Sequence, residues 1–275
     1  MWQAPPAQAP FETEWLPVLD MPAPGEQNRL TVLVRIILAI PQLVVLWVLS
    51  IVAFFVAVIG WFGALFMGRL PVFAADYLGN YVPYDTRVQA YLMLTHDRYP
   101  PFGFREADHP VRVELRPGGE LNRLAVFFRL VLAIPAMVVQ GLLYAGWWTV
   151  AVISWLVVLI LGRMPQPLFE ATAAILRYRM RYTAYLLMLT AAYPKGLFGD
   201  EPDSVPGGPV SATRPLVLGG GGRGLLVAFI LIGLISWGTG SITSALTSDD
   251  DDDDYGNPTV HLIAPLVPGP DGLSG

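Results

Sequence analysis

The chain has 275 residues, of which 54% are hydrophobic and only 14% charged, with a mean hydropathy of +0.51 and a formal net charge of −5. Soluble domains carry about 25% charged residues, so the composition excludes an ordinary water-soluble globule, and its acidic balance argues against a nucleic-acid partner. The absence of cysteine excludes structural disulfides, thiolate metal sites and a cysteine nucleophile.

Residues 1–14 are Pro-rich and acidic, which predicts disorder and gives none of the basic leader of a cleavable signal peptide. A first unit over 15–104 contains the apolar block Ile36–Met67, and a second over 109–198 contains the block Leu130–Leu161. Neither block holds an Asp, Glu, Lys, Arg or His. The alternation Val111, Val113, Leu115 against Arg112, Glu114, Arg116 predicts a short strand ahead of the second block; Pro17 and Pro22 weaken the same reading ahead of the first. A Gly/Pro-rich linker over 199–222, flexible at Gly219–Gly222, leads to one transmembrane helix over 223–247. An acidic, Pro/Gly-rich tail over 248–275 includes the run Asp249–Asp254, which reads as a solvated, self-repelling segment.

At an offset of 94 residues the two units superpose without a gap. Asn28-Arg29-Leu30 meets Asn122-Arg123-Leu124, Arg35 meets Arg129, and Ala39-Ile40-Pro41 meets Ala133-Ile134-Pro135. Further on, Gly68-Arg69 meets Gly162-Arg163, Pro71 meets Pro165, Ala90-Tyr91-Leu92 meets Ala184-Tyr185-Leu186, and Tyr99-Pro100 meets Tyr193-Pro194. A tandem duplication is the economical explanation. This set of motifs resembles the bacterial membrane family catalogued as domain of unknown function 4389, over about two thirds of the chain. The resemblance implies a multi-pass bacterial membrane protein and supplies no reaction. Where that family often has His after Ala-Ile-Pro, this chain has Gln42 and Ala136.

A block of 32 residues would make a helix of about 48 Å against a hydrocarbon core of roughly 30 Å. Single crossings would put one of two strongly basic flanks, 69–129 or 163–223, on the outer side, against the preference of Lys and Arg for the cytoplasm. We therefore expect each block to enter and return as an apolar helical hairpin, with its tip near Ser50 or Tyr144, the two repeats being parallel. A break at Pro41 and Pro135, giving an interfacial helix and one long span, is the competing reading.

Ala53, Ala57, Gly60 and Ala64 form a small-residue stripe suited to helix packing. Arg177, Arg179 and Arg181 alternate with apolar and Tyr residues, which predicts an interfacial helix over 169–190 facing lipid phosphates, with Arg29 and Arg123 as further headgroup contacts. The three histidines have no metal-ligand spacing, and no cofactor motif occurs. The fold expected is thus an all-α membrane protein of two parallel tandem repeats, each with an apolar hairpin and an interfacial helix, plus a C-terminal transmembrane helix. The function expected is a non-enzymatic scaffold, assembly or membrane-shaping protein of the cell membrane. Its partners would be lipids with anionic headgroups, a second copy or another membrane protein. Its basic flanks would be cytoplasmic and its acidic tail outside. A small permease or channel subunit is the alternative.

Overall fold

The computed structural model describes residues 15–250 apart from 105, 107, 117–118 and 202–209, and only the backbone over 239–250. The expectations for residues 1–14 and for the tail beyond Asp250 lie outside the described residues. Met1–Trp237 forms one compact unit and Gly238–Gly275 a second.

The chain begins with a short strand, β1 (Val18–Asp20), followed by α1 (Arg29–Met67) and α2 (Val72–Leu92). The second copy repeats this order as β2 (Arg112–Glu114), α3 (Arg123–Phe127), α4 (Arg129–Thr149), α5 (Ala151–Leu161) and α6 (Gln166–Leu186), and α7 (Gly220–Asp250) closes the chain. The repeated motifs are the punctuation of these helices. The Asn28 and Asn122 side chains accept from the Leu30 and Leu124 N–H groups at 2.9 Å and so cap α1 and α3. At the other end Gly68 (φ 72°) and Gly162 (φ 69°) take the left-handed conformation that ends a helix without a Cβ penalty. Pro71 and Pro165 then start the returning helices α2 and α6.

The expected hairpin inside each apolar block is not there. α1 runs unbroken for 39 residues through Pro41 and Ser50, and in copy two the breaks fall at Phe128 and Val150. Each repeat is instead a long apolar helix, interrupted in copy two, and a shorter polar one, with the turn at Gly-Arg-x-Pro. Turning there lets Arg35 sit within α1, because α2 returns its C-terminal carbonyls to it. The small-residue stripe meets this returning helix: Ala53, Gly60 and Ala64 are buried, Ala57 is half-buried, and Gly60 faces Leu70 and Ala74. Nor is Gly219–Gly222 a flexible linker, since Gly220–Gly222 form the first turn of α7 and Gly221 packs on Pro167.

The two copies contact each other reciprocally. Trp61 donates to the Val126 carbonyl at 2.9 Å, and its counterpart Trp155 donates to the Val32 carbonyl at 2.8 Å. The N–H of Gln27 bonds the Gly162 carbonyl, and that of Leu121 bonds the Gly68 carbonyl, both at 2.8 Å. In the antiparallel β1–β2 pair Leu19 stands opposite Val113, its own counterpart. These pairings are those of an approximate two-fold axis through the Leu19–Val113 pair, relating residue n to n + 94.

One helix has no counterpart. α7 crosses α4 so closely that Gly146 abuts the Phe229 backbone and Gly233 abuts that of Leu142, while Thr149 and Ser236 share a hydrogen bond at 3.0 Å. A Cβ at Gly146 would enter backbone, which cannot shift as a side chain can. Gly146→Val should therefore destabilise the protein by about 1–3 kcal/mol, read as a lower melting temperature in detergent. An equal drop for Gly141→Val, where nothing lies within 4 Å of an added Cβ, would refute this packing.

Candidate functional site

The polarity of the layers is inverted. α1 and α3–α5 expose large apolar residues along their whole length, from Leu30 and Ile36 (70% exposed) to Phe66 (74%), whereas α6, which carries three arginines, is buried along most of its length. The polar centre of the molecule is this set of enclosed guanidinium groups.

Arg35 of α1 donates to the Tyr91 and His96 carbonyls (3.1 Å each), to Gln27 Oε1 (3.0 Å) and to Asp97 Oδ1 (2.9 Å), and lies over the Tyr91 ring. Its counterpart Arg129 donates to the Thr190 carbonyl at 2.5 Å and covers the Tyr185 ring. The place of Asp97 is taken by Ala191 in copy two. Each of these arginines therefore ties the first turns of a long helix to the end of the helix returning beside it. Arg87 holds the Gly103 and Phe104 carbonyls at 3.0 and 2.7 Å, and its counterpart Arg181 holds those of Lys195 (2.7 Å) and Pro17 (3.0 Å). Burial lowers both pKa values, Arg181 to about 10 with the repulsion of Arg177 adding to it, while Glu106 near Arg87 and Asp200 near Arg181 act in the opposite direction.

This arrangement corrects the lipid-facing role expected for α6. Arg177, 2% exposed, pairs with Asp200 at 2.5 Å and donates to the Gly196 carbonyl. Arg181 is buried, and Arg179 pairs through both Nη atoms with Asp85. Protein acceptors stand where phosphates were expected, because the copies and the loops after α2 and α6 close around the helix. Arg29 and Arg123, by contrast, are exposed beside the turns at Gly162 and Gly68. The acceptors Gln27, Asp97 and Asp200 carry no sequence signal. The pair Asp85–Arg179 does carry one, since the two occupy the same repeat position with opposite charge. Burial alone would depress the Arg179 pKa, but Asp85 outweighs it and holds the group above the ordinary guanidinium value.

The repeat-specific Gln42 is also accounted for: its amide donates to the Pro100 carbonyl (2.6 Å) and accepts from the Tyr84 hydroxyl (2.5 Å). On the outer face, Ser50, Ala53 and Ala57 leave an apolar cleft of about 580 Å³ that reaches Thr183. At the equivalent positions of copy two, Tyr144 bonds Gln89 (2.8 Å) and Trp147 bonds Thr172 (3.0 Å), so that copy is plugged by its own rings. Among the described residues there is no group of three or more His, Cys, Asp or Glu placed to hold a metal ion.

Fold and polar centre together define a duplicated helical protein in which, among the described residues, three helices, Arg29–Met67, Arg129–Thr149 and Gly220–Gly238, are long and apolar enough to cross a membrane. The family model described as domain of unknown function (DUF4389) matches residues 29–103 and again 123–197, from each capped helix start to the loop that the arginines hold. The chain belongs to that family, in two tandem copies. No curated protein and no solved structure matches it.

Two tests follow. Asp85→Arg or Arg179→Asp alone leaves like charges on the two-fold axis and should cost about 3–5 kcal/mol. The double exchange should recover most of it in a thermal-melt cycle, and additive losses would show that the two residues do not meet.

The buried rings of His96 and His109, 5.2 Å apart, are held neutral, burial lowering their pKa values to about 3 and about 4 from an ordinary 6.5. Their contribution is intact above pH 6.5 and declines as pH falls toward the folded values, by up to about 1.4 kcal/mol per unit for each ring. The melting temperature should drop between pH 7 and 5, and the His96→Asn/His109→Asn variant should flatten that slope; an unchanged slope would mean the rings already titrate freely.

Proposed function

We propose that this chain is a non-enzymatic membrane scaffold or assembly protein that inserts by the apolar faces of its long helices. The observation that carries the reading is the inverted polarity: the most apolar helices lie outermost and the guanidinium-bearing ones innermost, which is stable only if the outer solvent is lipid. The apolar stretch Ile36–Met67 of α1, about 48 Å long, would need a tilt of about 50° to stay inside a 30 Å core, beyond the range of spanning helices. α1 therefore lies shallow, with the two-fold axis along the membrane normal, so that both repeats share one orientation and their basic flanks face the cytoplasm. Arg29 and Arg123 then reach anionic headgroups, and α7 carries the chain to the outer side. Closure of the repeat interface by Asp85–Arg179 and Tyr144–Gln89 favours a scaffold over a permease path there.

The cysteine-free chain makes the test direct. Single cysteines at Ile36, Trp47 and Phe66, spin-labelled in liposomes, should report similar, shallow depths. A profile with Trp47 deepest and Ile36 and Phe66 at opposite surfaces would sink the shallow arrangement and restore an upright span.

A further inference from the structure

The two-fold relation makes each copy a template for the other, and one element of copy two has no mate. Residues 213–219 leave a tight turn over 211–215, run beside α6 without regular structure over 216–219 and finish that side of the molecule. The Thr213 hydroxyl donates to the Leu19 carbonyl and accepts from the Met21 N–H, both at 2.8 Å. Arg214 pairs with Glu114 at 2.6 Å. The Leu216 N–H donates to Asp200 (3.1 Å) and the Gly219 N–H to Glu170 (2.8 Å). Leu216 and Leu218 are buried while Val217 between them is exposed, so the segment lays alternate leucines into a groove.

The mate of that groove lies between α2 and β2 as an open cavity of about 400 Å³, lined by Asp76, Pro83, Arg87, Glu106, Val113 and Leu115 among others. Every acid that receives the segment in copy two has an acidic counterpart here: Glu114 corresponds to Asp20, Glu170 to Asp76 and Asp200 to Glu106. The apolar floor is kept as well, with Val113 in place of Leu19 and Leu115 in place of Met21. Leu19 and Met21 are fully covered, whereas Val113 and Leu115 are only half-buried, which is the difference a missing segment makes.

We propose that the copy-one groove binds a segment of a partner protein with the chemistry and turn of residues 213–219: a basic residue for Asp20, a proline, then two apolar side chains two positions apart. Its backbone N–H groups donate to Asp76 and Glu106, and its edge lies along β2. A second copy of this chain is not the occupant, because its own segment is committed to its own groove. The proposal gives the assembly reading above its partner chemistry and rests on that reading for the partner's role. It does not depend on how α1 lies in the bilayer, so the depth measurement and the one below fail separately.

The probe is a fluorescent nonapeptide with the sequence of residues 211–219, carrying a photo-crosslinker at the position of Val217, added to the full chain in detergent. It should bind saturably and crosslink to the Ala75–Pro83 face or to Val113–Leu115. Asp20→Asn/Asp76→Asn/Glu106→Gln, which changes no fully buried apolar residue, should weaken binding about tenfold or more, and Asp in place of both peptide leucines should abolish it. Equal affinity for the triple variant, crosslinking only to the Glu170–Asp200 side, or absence of binding at millimolar peptide overturns the proposal. Peptide-dependent self-association without crosslinks in the groove overturns it too.

Discussion

A guanidinium enclosed by protein on every side must be met by acceptors, and the described fold is arranged around that requirement in α6. A buried arginine cannot shed its proton as a buried lysine can, so the structure has to come to it. Arg177 draws in Asp200, which also receives the Leu216 N–H and so fixes the segment 213–219. Arg181 gathers the carbonyls of Pro17 and Lys195, joining the N-terminal strand to the loop after its own helix. Arg179 reaches across the axis to Asp85 of the other copy. One helix turn thus holds the strand, the loop, the segment and the sister repeat.

The apolar exterior follows from the same arrangement. With α2 and α6 occupying the centre, α1 and α3–α5 can bury only one stripe each, and in α1 that stripe recurs at Val32, Arg35, Ala39, Gln42 and Leu46 before passing to Ala53, Gly60 and Ala64. This spacing near 3.5 residues is the seam of a helix packed along its length against an antiparallel neighbour. It leaves the rest of the circumference to Leu, Ile, Val and Phe. In water such a surface would greatly exceed the few hundred Å² of apolar patch that soluble monomers tolerate.

The offset of 94 made the duplication legible in the residues alone, and the period-two alternation of Val111, Val113 and Leu115 announced the short strand ahead of copy two. The hairpins expected from block length and from the basic flanks do not form, and the physical reason is long-range: α1 extends past Arg35 and turns only at Gly68. Arg35 does not end the helix, because its charge is satisfied by the C-terminus of α2, which no local pattern announces. Proline at 41 likewise failed as a break, since α1 continues through it. The arginines of α6 read as lipid-facing for the related reason that their acceptors are backbone carbonyls and acids distant in sequence. Alternation of Arg with apolar residues specifies that charge must be satisfied, and leaves open whether phosphate or protein does it.

The two copies also show where a fused pair has to differ and where it is free to. A residue close to the axis meets its own counterpart, so a charge placed there in both copies would repel itself; Asp85 facing Arg179 is the solution that duplication permits and a symmetric pair does not. Away from the axis nothing forces divergence, yet Ser50 and Ala53 stand against Tyr144 and Trp147, leaving one cleft open and its mate plugged. Copy two has also acquired α7, for which Gly146 makes room while its counterpart Val52 does not. The pattern is consistent in direction: among the described residues, side chains and the C-terminal extension close the cleft and groove of copy two, and their mates in copy one stay open.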